Sequence, residues 1–300
     1  MIPRLPSYPM PDPASFPATR VAWTPDAARS ALLVHDLQVY FLDFYDPALP
    51  PVPELLRNVS RLIARCRELG IPVVYTAQPG GQRPQDRALL TDFWGTGLRD
   101  DPAQTRVHPQ VAPQPGDTVL TKWRYSAFKR TPLEEQLRAW GRDQLLVCGV
   151  YAHIGCLLTA AEAFMLDVQP FLIGDALADF SEAEHRQALT YAANRCAQVT
   201  GTDDALRALG SPAWTEERVR GQVAALLGVD PQALHGDDDL LMLGLDSVRL
   251  MLLTEDWQRE GQRVSYADVA ARPTLNAIMD ALNAAAPMPE PKPKPAPEPV

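Results

Sequence analysis

From residue 31 onward the chain alternates short apolar, β-branched runs with amphipathic stretches, and this alternation restricts the fold more than any other feature. The runs are "ALLV", "IPVVYT", "TVLT", "QLLVCGV" and "VQPFLIG", with helical stretches over 52–69, 133–140 and 156–166 between them. In the first stretch Val52, Leu55, Leu56, Val59, Leu62, Ile63 and Cys66 share one face of a 3.6-residue period. Repeated strand–helix units predict a largely parallel sheet covered by helices on both faces. Such sheets bind ligands beyond the carboxyl ends of their strands. Just after the predicted strands stand Asp36, Gln78, Lys122 and the turn 151–155. An acid, an amide, a cation and an irregular glycine-containing turn are therefore expected at one rim.

A second unit begins near Pro212. "TEERVRGQVAALLG" reads as an amphipathic helix, the stretch from "DPQALHG" as a long loop leading into another helix, and "SYADVAARPTLNAIMDALNAA" as two short helices. The expected domains are 1–210 and 211–286, with the proline-rich segment 287–300, "PMPEPKPKPAPEPV", extended and disordered. In "GLDSVRLM" Asp246 can cap a helix whose first turn holds Ser247. The serine hydroxyl then points to solvent while Val248, Met251 and Leu252 turn inward. An exposed serine on a rigid helix end suits the attachment of a long arm.

Composition narrows the partners. A net charge of −9 argues against general nucleic-acid binding, which needs a basic face. No apolar run approaches the ~18 residues of a membrane span, and the proline-rich first 20 residues do not read as a secretory signal. A cytoplasmic protein without membrane association is expected. The four cysteines form no CxxC and have no histidine at zinc spacing, so neither a disulfide framework nor a metal site is predicted.

The stretch "DDDLLMLGLDSVRLMLL" resembles the phosphopantetheine-attachment motif of carrier domains, with Val248 where leucine is usual. The resemblance implies a 4'-phosphopantetheine on Ser247, placed there by a phosphopantetheinyl transferase. The segments "LLVHDLQVYF", "VVYTAQP", "TKWRYSAF", "GVYAHIGC" and "DALADFS" resemble the isochorismatase family within the cysteine-hydrolase superfold. With a carrier domain behind them, the arrangement looks like the bifunctional isochorismatase and aryl carrier proteins of catecholate siderophore biosynthesis. The fold so implied is a Rossmann-like three-layer α/β domain followed by an all-α carrier-protein helical bundle.

In the amidase relatives the nucleophilic cysteine precedes a Thr-Ala pair by four residues. Here that pair is Thr159 and Ala160, so the nucleophile position is Gly155 and Cys156 falls on an apolar position. The implied reaction is metal-free hydrolysis of the isochorismate vinyl ether to 2,3-dihydro-2,3-dihydroxybenzoate and pyruvate. Asp36 protonates the methylene carbon, Lys122 orients the acid and binds a carboxylate or ether oxygen, and Gly155 offers a backbone N–H and the space of the lost thiol. Gln78 and Arg87 bind polar groups, while Phe41, Trp94, Tyr125 and Tyr151 wall the ring. The turn is expected to hold a non-proline cis bond around Val150 and Tyr151, and His35 and His153 to serve as structural hydrogen-bonding groups. The implied partners are an aryl-adenylating enzyme (2,3-dihydroxybenzoate-AMP ligase), a nonribosomal peptide synthetase condensation domain and further copies of the chain in a homo-oligomer. Two other readings stand beside this one: a cysteine amidohydrolase using Cys156, and a non-catalytic carrier and docking subunit.

Overall fold

The computed structural model describes residues 2–210, 215–259 and 264–284. It separates into two compact units, Met1–Gly210 and Ser211–Val300. Six strands, β1 (Ser30–His35), β2 (Val73–Ala77), β3 (Thr118–Thr121), β4 (Gln144–Val150), β5 (Gln169–Ala178) and β6 (Gln198–Thr200), form the sheet of the first unit. Their order is β3-β2-β1-β4-β5-β6, and every pairing is parallel. The chain leaves the edge at β3 and re-enters beside β1, so the order reverses between β1 and β4. In open α/β sheets that crevice is where ligands bind.

The helices of this unit are α1 (Val39–Leu42), α2 (Val52–Glu68), α3 (Pro84–Arg87), α4 (Leu90–Trp94), α5 (Pro102–Thr105), α6 (Leu133–Ala139), α7 (Leu157–Met165), α8 (Glu182–Arg195) and α9 (Thr202–Leu209). Side chains alternate along β1: Leu32 and Val34 pack towards α2 and α9, Ala31 and Leu33 towards α6, α7 and α8. The expected three layers are present, and α2 buries the face read from its period. The helical stretch expected from Cys156 starts at Leu157, after a π-helical turn over Ala152–Cys156.

In the second unit α10 (Glu216–Leu227), α11 (Ser247–Arg259), α12 (Tyr266–Ala270) and α13 (Leu275–Ala284) enclose a core that includes Val219, Leu240, Leu253, Trp257 and Ile278. The Thr215 side chain caps α10, and a capping box between Ser265 and Asp268 starts α12. The inward face expected for α11 is corrected. Val248, Met251 and Leu252 are 67%, 51% and 50% exposed, whereas Leu250, Leu253, Thr254 and Trp257 are buried. The heptad-like series from 248 runs into Glu255, while the series from 250 stays free of charge through Trp257. The segment 287–300 lies outside the described residues. Among the described residues no helix is long and apolar enough to cross a membrane.

Candidate active site

Asp36 follows β1 with φ 49°, a left-handed conformation that costs a residue with a Cβ ~1–2 kcal/mol. Its surroundings hold it there. The backbone N–H of Asp36 donates to Thr76 Oγ1 (3.1 Å), and that hydroxyl donates to Asp36 Oδ1 (2.6 Å). Lys122 Nζ donates to Oδ2 at 2.8 Å, and Gln78 Nε2 at 3.3 Å. Lys122 is placed by its own N–H, which donates to the carbonyl of Ala77, the last residue of β2. Both members of the ion pair are almost fully buried. Burial works to raise the Asp36 pKa, but the Lys122 charge, the neighbouring His35 and the hydrogen bonds from Lys122 and Thr76 outweigh it. The net effect holds the carboxyl below the usual range, and it is ionised in the free protein.

The cavity beside this pair encloses about 590 Å³ not filled by atoms, part of it continuous with solvent. Asp36, Lys122, Gln78, Arg87, Phe41, Trp94, Tyr125, Tyr151 and Gly155 all line it, so every site residue expected in this unit meets at one place. The walls brace one another. Trp94 Nε1 donates to Tyr125 Oη (2.8 Å), and Tyr151 Oη donates to Phe41 O (2.8 Å). Phe180 stands edge-on to both Tyr151 (4.7 Å) and Trp94 (6.0 Å). The peptide bond Val150–Tyr151 is cis.

Arg87 is the unsatisfied group of the cavity. It is 4% exposed; Nε donates to Gly95 O, while Nη1 is buried with no hydrogen-bond partner. Gly97, at φ 76°, makes room for it, since a Cβ there would stand 2.4 Å from Nη1. Leaving a buried charged donor unpaired costs ~1–3 kcal/mol or more, which an incoming carboxylate would recover.

At the turn Cys156 packs as its apolar position implied, while the expectation for Gly155 changes. Cys156 is fully buried among Ala152, Ala160 and Leu177, lines no part of the cavity, and burial pushes its thiol well above the usual range. It is a packing residue. The space expected at Gly155 is not empty: a Cβ built there would lie 2.1 Å from Cε1 of His35. The His35 ring is buried and contacts the carbonyls of Val150 (2.9 Å) and Tyr125 (3.3 Å). His153 stands outside the cavity, with Nδ1 2.5 Å from Asp179 Oδ1. Burial lowers its pKa, but the Asp179 carboxylate outweighs this and raises it.

Sequence reasoning missed Thr76 and Phe180. A threonine inside a strand carries no signal of its own, though its register partner is His35, next to the acid. Phe180 lies in "DALADFS", one residue beyond Asp179, at the rim where β5 ends.

The second reactive position is Ser247, the exposed first residue of α11. Asp246 Oδ1 accepts the Arg249 N–H (2.9 Å), so the helix start is rigid and the serine is reachable.

A family model described as isochorismatase domain matches residues 30–204, and one described as phosphopantetheine attachment site matches 217–282. The isochorismatase of Bacillus subtilis (strain 168) is 50% identical over 289 residues, covering 91% of this chain and 93% of that protein. Enterobactin synthase component B of Escherichia coli (strain K12) is 43% identical over 276 residues, 92% and 96% of the two chains. Among solved structures, a cysteine hydrolase from Pseudomonas syringae pv. phaseolicola 1448A superimposes with a TM-score of 0.58 at 25% identity, over 65% of this chain and 98% of that one.

Proposed function

We propose, for a chain that belongs to the isochorismatase family and carries a phosphopantetheine domain behind it, that Asp36 is the acid of the hydrolysis. The first unit converts isochorismate and water to 2,3-dihydro-2,3-dihydroxybenzoate and pyruvate. The observation that carries the assignment is a buried carboxyl, held by Lys122, Thr76 and Gln78, in a cavity with an unpaired arginine and no nucleophile at 155. The carboxylic acid form of Asp36 gives its proton to the methylene carbon of the vinyl ether, leaving an oxocarbenium ion. Water adds to that ion and returns a proton to Asp36, and the hemiketal collapses to release pyruvate. Arg87 Nη1 and Lys122 Nζ bind the substrate carboxylates, and the aromatic walls exclude bulk water.

The resting carboxylate must gain a proton before this step. Two substrate carboxylates entering the cavity oppose the anion on Asp36 and raise its pKa. Because the free carboxyl lies below the usual range, the acid form becomes scarcer as pH rises. The kcat/KM for pyruvate release from isochorismate should therefore climb as pH falls from 8 to 6, by up to about tenfold per unit. A flat profile would assign the proton to a donor already inside the complex.

The second unit carries an aryl acid. Bound to the carrier serine, phosphopantetheine supplies a terminal thiol that holds the acyl group as a thioester, and Ser247 fits that role by its exposure at the start of α11. The exposed Val248, Met251 and Leu252 beside it offer an apolar face to the transferase that attaches the arm, an aryl-adenylating enzyme and a condensation domain. We take the carried acid to be 2,3-dihydroxybenzoate, which oxidation of the first unit's product would supply. The burial of Cys156 removes the amidohydrolase reading.

A further inference from the structure

Gly155 does not owe its identity to its backbone, because it lies outside the left-handed conformations that favour glycine. The neighbour that forbids a side chain is His35. A Cβ at 155 would meet its Cε1 at 2.1 Å, Nε2 at 2.8 Å and Nδ1 at 3.0 Å, an entire edge of the ring. That ring cannot swing aside cheaply. It is fully buried, and its two nitrogens face the carbonyls of Val150 and Tyr125. Burial lowers its pKa to about 4, so at neutral pH it has one N–H, which the shorter contact assigns to Nδ1, donating to Val150 O. Nδ1 also stands 3.8 Å from Asp36 Oδ2. One imidazole therefore touches the end of β4, the loop that bears Lys122 and Tyr125, and the acid.

We propose that His35 is a positioning residue that occupies the volume a side chain at 155 would need, so that the two positions are coupled and the site excludes a nucleophile there. A side chain can then enter at 155 only where the ring at 35 has been removed. The proposal rests on the reading of Asp36 as the acid, which His35 acts through by bonding the end of β4 with its Nδ1–H and packing against the loop that bears Lys122 and Tyr125.

A double-mutant cycle on the full chain tests it, with His35→Asn, Gly155→Ala and the double variant. Asparagine keeps a donor near the place of Nδ1 and removes the ring edge that faces 155. Gly155→Ala alone should lower kcat/KM for pyruvate release by about 100-fold, since a shift of an ångström at the reacting groups is enough for that. His35→Asn alone should lower kcat while KM stays within about twofold, the signature of a group that aligns the acid and does not bind substrate. The double variant should exceed Gly155→Ala by at least about tenfold, and its melting temperature should recover in parallel. Strictly additive effects on both activity and melting, or a His35→Asn variant with unchanged kcat, would overturn the proposal. The melting cycle needs no substrate: if Gly155→Ala fails to fold, rescue of folding by His35→Asn supports the coupling, and failure of the double variant beside a folded His35→Asn refutes it. A wild type that releases no pyruvate would instead break the reading of the reaction and leave the melting cycle to judge the pair.

Discussion

Asp36 and Ser247 are reactive groups built in opposite ways. Every side chain that bonds the Asp36 carboxyl comes from a distant segment, namely Thr76, Gln78 and Lys122, and the group is almost fully buried. Ser247 is exposed, and what fixes it is local: Asp246 before it and Arg249 in the same first turn. The first position depends on exclusion of water, which makes a lysine and a few hydrogen bonds decide the charge of an acid. The second depends on access, because other proteins must reach it. Damage to the packing of the first unit should therefore silence Asp36 and leave Ser247 open to modification.

The sharpest way to break that contrast is Ser247→Ala. It should abolish the mass gained on incubation with coenzyme A and a phosphopantetheinyl transferase, while pyruvate release from isochorismate is unchanged. Loss of both activities would mean that the units are not independent. Arg87→Met comes next: removing a buried charged donor that pairs with substrate should raise KM by about 10- to 100-fold and leave the mass gain intact. A rise in KM of less than twofold would show that Nη1 meets no substrate carboxylate.

Proton linkage gives the smallest effect. Burial holds both His35 and His185 at about 4, below their ordinary range, so each favours the folded state above pH 6.5 and loses that contribution as pH falls towards 4. His153, raised by Asp179, works the other way but is partly exposed. His235 in the carrier unit is exposed. Between pH 7 and 5 the calorimetric transition of the first unit should shift down by several degrees and that of the carrier unit should scarcely move. Equal shifts would contradict the contrast in burial.

Much of the first unit was legible because strand and helix periods there are long and clean. Val34 and the face of α2 announce their partners, and Asp36, Gln78 and Lys122 are each the first residue past the end of a strand. The pattern fades after β5. β6 has three residues, and α8 buries Ala188, Ala192 and Ala193, residues too small to print a strong apolar stripe. Arg87 and Trp94 were reachable only through family resemblance, since α3 and α4 are four and five residues long. In α11 two apolar series run side by side, offset by two residues, and the choice between them turns on Glu255 against Trp257. The clash between His35 and a side chain at 155 left no trace at either position, because it exists only once β1 and β4 are side by side.

The central claim is that a proton from Asp36, and not a thiol at the neighbouring turn, drives the hydrolysis. The direct test is pyruvate release from isochorismate by Asp36→Asn and Cys156→Ala, each confirmed as folded. The account predicts a loss of about 10³-fold or more for the aspartate variant and a rate within about twofold of wild type for the cysteine variant. A cysteine variant that is inactive, or an aspartate variant that retains its rate, would contradict it.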